Sequence, residues 1–243
     1  LYHRNTEKMQ FEQFKNKHLG QRCFILGCAP SLKNENLQLL KDEIVIICNK
    51  GFLAVEQLNL PKFDYFFCAD GVVYKELYKK YKQELDKISV PKFYASKVAE
   101  VSKINIQEDY VCFKKGYADN IAVQNAGFPE KFEDGWGATR GTVFDASIVA
   151  YWMGFKEIYL LGVDYNYSDK NNTHFYKSGE REKILVAENK ITDPNKKAFK
   201  RVIKTVAVIK NHLNKNGVVY KNLSKGFLHK NMMDTDTLEN IIK

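Results

Sequence analysis

The chain has 243 residues, 44% hydrophobic and 28% charged, which suits one large globular domain or two small ones. No run of 18 apolar residues occurs, so no membrane-spanning helix is expected, and Leu1-Tyr-His-Arg-Asn has no apolar signal-peptide core. The net charge of +9 comes from lysines spread along the chain, which read as solvated helix faces rather than a nucleic-acid stripe; an anionic nucleotide or an anionic membrane surface are the remaining partners. Leu1 in place of Met reads as a piece of a longer or processed protein, and the expected compartment is the cytoplasm, at most peripheral at the inner membrane.

In chain order, Asn5 to His18 predicts a polar helix with Met9, Phe11 and Phe14 on one side. Cys23–Leu26 predicts a strand ending at Gly27. The turn Gly27-Cys28-Ala29-Pro30 then leads to Ser31, read as the N-cap of a short helix over about 32–40. Such a turn leaves backbone N–H groups at the carboxyl edge of a sheet, where a phosphate can bind. The segment matches neither G-x-G-x-x-G nor G-x-x-x-x-G-K-[ST], so neither a standard dinucleotide fold nor a P-loop is indicated. Ile44–Cys48 is a second strand, followed by Asn49-Lys-Gly-Phe52 and a helix to about Leu58. Tyr65–Cys68 is a third, closing on Asp70, with a Lys- and Tyr-rich helix over Tyr74–Leu85.

Lys92–Ala95 and Tyr110–Phe113 are further short strands. Gly141–Met153 is the clearest helix, stopped by Gly154, and Glu157–Leu161 the best strand, stopped by Gly162. The polar stretch of about 165–192 reads as a lid. Pro194 opens a basic helix over Asn195–Leu213, and Gly217–Tyr220 is the last strand. This alternation predicts a single α/β domain over 1–243: a Rossmann-like, mostly parallel sheet with helices on both faces.

Five cysteines without a C-x-x-C pair read as buried small side chains in a reducing compartment; convergence of Cys28, Cys48 and Cys68 on a metal is the lesser alternative. If the sheet is parallel, Ser31, Asn49, Asp70, Thr139, Arg140, Thr142, Asp164, Tyr165, Asn166, Tyr167, Asn222 and Ser224 gather mostly at one edge. Of five histidines, His174 alone lies in the lid, where an imidazole with a pKa of about 6.5 can take a proton from a sugar hydroxyl. Arg140 with Lys170, Lys177 and Lys183 can balance phosphate charge without a metal. Asp234-Thr-Asp236 spells a metal-binding Asp-x-Asp, but Asp236-Thr-Leu-Glu239 reads as a capping box. Alternatively, Asp70 and Asp164 hold Mg²⁺.

Gly27-Cys-Ala-Pro-Ser31-Leu32, Cys48-Asn49-x-x-Phe52 and Gly154-Phe-Lys-Glu-Ile-Tyr-Leu-Leu-Gly162-Val-Asp164, in that order and spacing, resemble a group of bacterial surface-polysaccharide proteins. One branch is the MptE-like family, named after 6-hydroxymethylpterin diphosphokinases. The other is the lipooligosaccharide sialyltransferases, which use CMP-sialic acid. The resemblance runs over about 20–230. By that likeness Gly27, Pro30, Ser31 and Asn49 contact the nucleotide, Asp70 stands where an Asn lies near the donor sugar, and Thr142 faces the phosphates. Tyr165 and Tyr167 lie near the tyrosines that hold the leaving phosphate, though out of register with them. His174-Phe175-Tyr176 is most similar to an Asn-His-Phe stretch of the MptE-like proteins.

The combined expectation is a metal-independent glycosyltransferase with a CMP-linked acidic sugar as donor and a glycan or glycolipid acceptor, working in lipooligosaccharide or capsule synthesis. Its nucleotide site is Gly27, Cys28, Ala29, Pro30, Ser31, Asn49, Thr142, Gly162 and Asp164. Arg140 and Tyr165 hold phosphate, and His174, Tyr167 and Asp70 are catalytic. Alternatives are a Mg²⁺-dependent diphosphokinase and a non-catalytic nucleotide-binding module. Self-association is open.

Overall fold

The computed structural model describes residues 10–106, 110–116, 119–165, 174–177, 197–224 and 233–242. Eight strands form one sheet: β1 Arg22–Leu26, β2 Ile44–Cys48, β3 Tyr65–Cys68, β4 Lys92–Ala95, β5 Val111–Phe113, β6 Glu157–Leu161, β7 Val219–Asn222 and β8 Asp234–Thr235. The order is β5-β4-β3-β2-β1-β6-β7-β8, and every pairing is parallel. The apolar runs explain this. Cys23–Leu26, Val45–Cys48 and Tyr65–Cys68 are buried throughout, the mark of strands covered on both faces. The chain winds outward from β1 to β5, then returns to β6 on the other side of β1. Right-handed crossovers in opposite directions put the connecting helices on opposite faces.

Those helices are α1 Ala54–Gln57, α2 Gly71–Lys87, α3 Val98–Ser102, α4 Val123–Ala126, α5 Thr142–Trp152, α6 Lys197–Lys215 and α7 Leu238–Ile241. α5 is apolar on all sides: nine of its residues from Val143 to Trp152 are buried, and it crosses β1, β2, β3 and β6. α6 is amphipathic; Val202, Val206, Ile209 and Leu213 face inward at helical spacing. The first turn of α5 is anchored by a buried network, in which Lys115 pairs with Asp145 and Trp136 Nε1 donates to the same carboxylate at 2.9 Å. A buried charge needs such partners.

Several sequence expectations need correction. The helix expected over 32–40 is two 3₁₀ turns, Pro30–Asn34 and Leu37–Asp42, with Glu35 extended between them. Leu32, Leu37 and Leu40 from these turns are buried in the core. The described part of the N-terminal helix is a single 3₁₀ turn, Phe11–Phe14, whose phenylalanines pack on Trp152 and Phe93. α2 starts earlier than expected, because Asp70 caps it. The expected last strand lies over Val219–Asn222 and is followed by β8, whose two exposed residues carry no apolar signal. The capping box is shifted: Thr237 caps α7, and the Asp234 and Asp236 carboxylates pair with Lys210 and Lys221. Hydrogen bonds from Lys221, Thr237 and Asn240 hold Asp236 down at about 2. Pro194 and most of the expected lid lie outside the described residues.

None of the five cysteines forms a disulfide; Cys23, Cys48 and Cys68 are buried, and burial pushes the Cys68 thiol up to about 12. Among the described residues no three His, Cys, Asp or Glu side chains cluster as a metal site.

Candidate functional site

β1 sits at the switch point of the sheet, where connections leave in opposite directions and a crevice opens beyond the strand ends. A cavity of about 220 Å³ lies there. Gly27, Cys28 and Ala29 line it from β1, Cys48 and Asn49 from β2, Arg140 to Val143 from the start of α5, and Gly162 to Tyr165 from β6. His174 completes the wall. Two larger hollows, about 340 and 420 Å³, lie away from this edge, along α2. Volume does not decide between them; only the first gathers a histidine, an arginine, a carboxylate and a helix N-terminus.

The turn after β1 is tighter than its sequence suggests. Gly27 N–H donates to Leu161 O at 2.8 Å and Ala29 N–H to Gly162 O at 2.9 Å, so the pairing of β1 with β6 continues beyond both strands. Ser31 N–H and Oγ both donate to Asp164, at 3.1 and 2.5 Å. The amides expected to be free for phosphate are thus committed. Pro30 and Ser31 do not line the cavity; Pro30 opens the 3₁₀ turn, and Ser31 orients Asp164 instead of capping a helix. Burial raises the Asp164 carboxyl above its ordinary range, against the opposing pull of the Ser31 bonds.

The open amides belong to α5. The Phe144 and Asp145 N–H groups donate to Gly141 O at 3.0 and 3.3 Å, which leaves the Thr142 and Val143 amides at the positive end of the helix dipole, and Gly141, Thr142 and Val143 line the cavity there. Gly141 admits the neighbouring side chain: a Cβ there would lie 2.7 Å from the Tyr165 hydroxyl. Tyr165 stacks on Phe144 with ring centres 5.8 Å apart. Thr142 Oγ1 reaches Asn49 Oδ1 at 3.5 Å, linking α5 to the end of β2.

Asn49, Arg140 and Tyr165 all have left-handed backbones, with φ of +54°, +67° and +48°. Asn accepts this readily, but Arg and Tyr are strained by it. Outside the cavity, Asn222 Nδ2 donates to Val163 O at 3.0 Å, and Val163 N–H donates to Ser224 Oγ at 2.9 Å. These two polar residues, one ending β7 and one just beyond it, fix the peptide that leads to Asp164 and Tyr165; they do not line the site. Asp70 is exposed and accepts from the Val72 and Val73 amides as the N-cap of α2, so the fold does not bring it to the cavity wall. Tyr167, Asn166, Lys170 and Lys183 lie outside the described residues.

Sequence reading did not assign Cys48, Gly141, Val143 or Val163 to the nucleotide site, though all four line the cavity, and it gave no role to the buried Lys50. Cys48 and Val163 adjoin recognised motifs and could have been found by extending them. Lys50 gave no signal, since lysines are ordinarily exposed.

The family model for 6-hydroxymethylpterin diphosphokinase MptE-like proteins matches residues 2–170. The chain belongs to the MptE-like family. A search among curated proteins finds no match for its sequence. Solved structures share its shape. The monofunctional α-2,3-sialyltransferase Cst-I of Campylobacter jejuni has a TM-score of 0.55 at 17% identity, over 92% of this chain and 82% of that one. An apo α-2,3-sialyltransferase of the same organism gives 0.51 at 17%, over 94% and 86%. The sialyltransferase CST-II, solved with a trisaccharide acceptor and CMP, gives 0.50 at 14%, over 88% and 86%. This MptE-like chain therefore has the fold of those transferases. Among its described residues no helix is long and apolar enough to cross a membrane.

Proposed function

We propose that the protein is a glycosyltransferase that uses a CMP-linked acidic sugar to extend a surface glycan or glycolipid, such as lipooligosaccharide or capsule. One observation carries this reading: His174 shares a single cavity wall with Arg140 and the N-terminus of α5. A base and an anion site are thereby offered to the same substrate. The nucleotide lies across β1 and β2, against Gly27, Cys28, Ala29 and Asn49, with its phosphate at Arg140, Thr142 and the α5 amides. His174 takes the proton from an acceptor hydroxyl as that oxygen attacks the anomeric carbon. The bond from that carbon to the phosphate oxygen breaks, and CMP departs with the bonding pair. Arg140, the Tyr165 hydroxyl and the α5 amides stabilise the charge that develops on it. The solved transferases with this fold, one holding CMP and an acceptor trisaccharide, support the reading.

The family description names a diphosphokinase, and that chemistry would require Mg²⁺. Among the described lining residues Asp164 is the one acid; both its oxygens already accept from Ser31, and Asp70 is spent on capping α2. Asp164 is then the single carboxylate that the described wall offers to Mg²⁺, beside the nucleotide's own phosphates. Calorimetry with CMP, UMP, GDP and ATP, each with and without Mg²⁺, tests the choice. Metal-independent CMP binding is expected, and turnover is expected to survive EDTA. ATP binding that depends on Mg²⁺ would favour the diphosphokinase. Nucleotide binding without turnover on any acceptor would favour a non-catalytic module.

A further inference from the structure

Lys50 follows Asn49 at the end of β2, yet only 3% of it is exposed. Its ammonium lies 3.2 Å from Glu76 Oε1 on α2 and 4.9 Å from the centre of the Tyr176 ring. Tyr176, itself 8% exposed, lies nearly parallel to the His174 imidazole, with ring centres 4.9 Å apart and planes at 10°. Between them, Phe175 is buried, and its N–H donates to Cys28 O at 2.9 Å. The segment bearing His174 is thus fastened twice: by one backbone bond to the turn after β1, and by its tyrosine to a buried cation. A lysine with its head group out of water needs a carboxylate or an aromatic face, and here it has both.

We propose that Lys50 and Tyr176 are positioning residues for His174: the buried ammonium clamps the Tyr176 ring, and that ring fixes the imidazole in the cavity wall. The function of the clamp rests on the reading of His174 as base, but its existence does not. Glu76 holds Lys50 from behind, and Asp70 caps the helix that carries Glu76. Asp70, which sequence reading placed in the catalytic group, thus serves the site from a distance. Lys50 also adds a positive charge within two ring spacings of the imidazole, which disfavours its protonated form. The other charged or titratable groups around His174 in the described wall are Arg140, Asp164, Tyr165, Cys28 and Cys48, with Tyr176 stacked on the ring and Glu76 and Lys80 beyond Lys50.

Three measurements test this on the intact chain without substrate. Amide exchange at Phe175 reports docking: Lys50→Met and Tyr176→Leu should each exchange about 3- to 30-fold faster, while Lys50→Arg and Tyr176→Phe stay near the parent. The His174 ring resonances report the stack, so Tyr176→Leu should remove their ring-current shift and Tyr176→Phe should keep it. An NMR titration reports the charge: Lys50→Met removes the cation nearest the Tyr176 ring, leaves Glu76 paired with Lys80 alone, and should raise the His174 midpoint by about 0.3–1 unit, which Lys50→Arg restores. Should Lys50→Met fail to fold, the Tyr176 pair tests the clamp with the Lys50–Glu76 bridge intact. Unchanged Phe175 exchange and unchanged His174 resonances in Tyr176→Leu would overturn the proposal. CMP binding to the parent chain is measured alongside. Its absence would sink the glycosyltransferase reading while leaving the clamp standing.

Discussion

The two edges of the sheet are made differently. At the amino edge, side-chain pairs tie the strands to their neighbours. Arg22 grips Glu43 with two bonds, 2.5 and 2.8 Å, and donates to Ile241 O; Asp64 accepts from the Val45 amide; Lys92 reaches Leu85 O. At the carboxyl edge backbone features join the side-chain bonds: glycines in close contact, residues held left-handed, and a helix N-terminus opening on a cavity. Two strained residues, Arg140 and Tyr165, stand at the carboxyl edge where a ligand can repay the strain, while the ion pair of Arg22 and Glu43 at the amino edge serves stability alone. Mutations at the two edges should therefore separate stability from function.

The largest effect should come from His174→Ala. Losing a positioned base should reduce turnover by about 10²–10⁴-fold with CMP binding nearly intact, because the base contacts the acceptor. Steady-state kinetics beside calorimetry checks this, and near-normal turnover on the true acceptor would remove His174 from the mechanism. Gly27→Ala should follow. Its Cβ would stand 2.4 Å from the Gly162 carbonyl oxygen, a backbone atom that cannot rotate away. A cost of about 1–3 kcal/mol in denaturant stability, together with lost nucleotide binding, is expected; a variant that folds and binds like the parent would show that this close approach is dispensable.

Asn49→Ala should weaken nucleotide binding by about 1–3 kcal/mol by removing a polar partner. Asn49→Gly sharpens that test, since it relieves the left-handed backbone and removes the same amide; equal losses in both variants would assign the effect to the side chain. The smallest effect belongs to the opposite edge. Arg22→Ala should cost about 1 kcal/mol of stability, since its side chain is 35% exposed and the pair is partly screened, with CMP affinity unchanged. A change in affinity there would erase the distinction between the edges.

Much of the carboxyl edge could be read from sequence because it is built of local signals. Gly27 and Gly162 end apolar runs, Asn49 follows another, and Thr142 opens an apolar helix. All four line one cavity once parallel pairing aligns the strand ends. Ser31 was found but given the wrong task, because its partner Asp164 lies 133 residues away. Nothing in the spacing distinguishes an N-cap serine from one that binds a distant carboxylate. Asp70 went the other way: placed in the catalytic group, it caps a helix, the role its neighbours in sequence support.

By itself, then, the sequence determined the seven strands up to β7, their mostly parallel sheet and the edge where the cavity opens, though not β8, since burying runs such as Val45–Cys48 on both faces leaves few alternatives. It also determined that Gly27 and Gly162 stand at the strand ends beside the cavity. Only the tertiary structure decided which amides remained open. Packing β1 between β2 and β6 consumed those of Gly27 and Ala29, leaving open amides at the start of α5, where the anion site is proposed. It alone decided that Lys50 would be buried, because a lysine's burial depends on a carboxylate from α2 and a ring from beyond β6 arriving at the same point. Local runs fix elements through contacts a few residues apart; charges and hydrogen-bond donors find their partners only after those elements have packed.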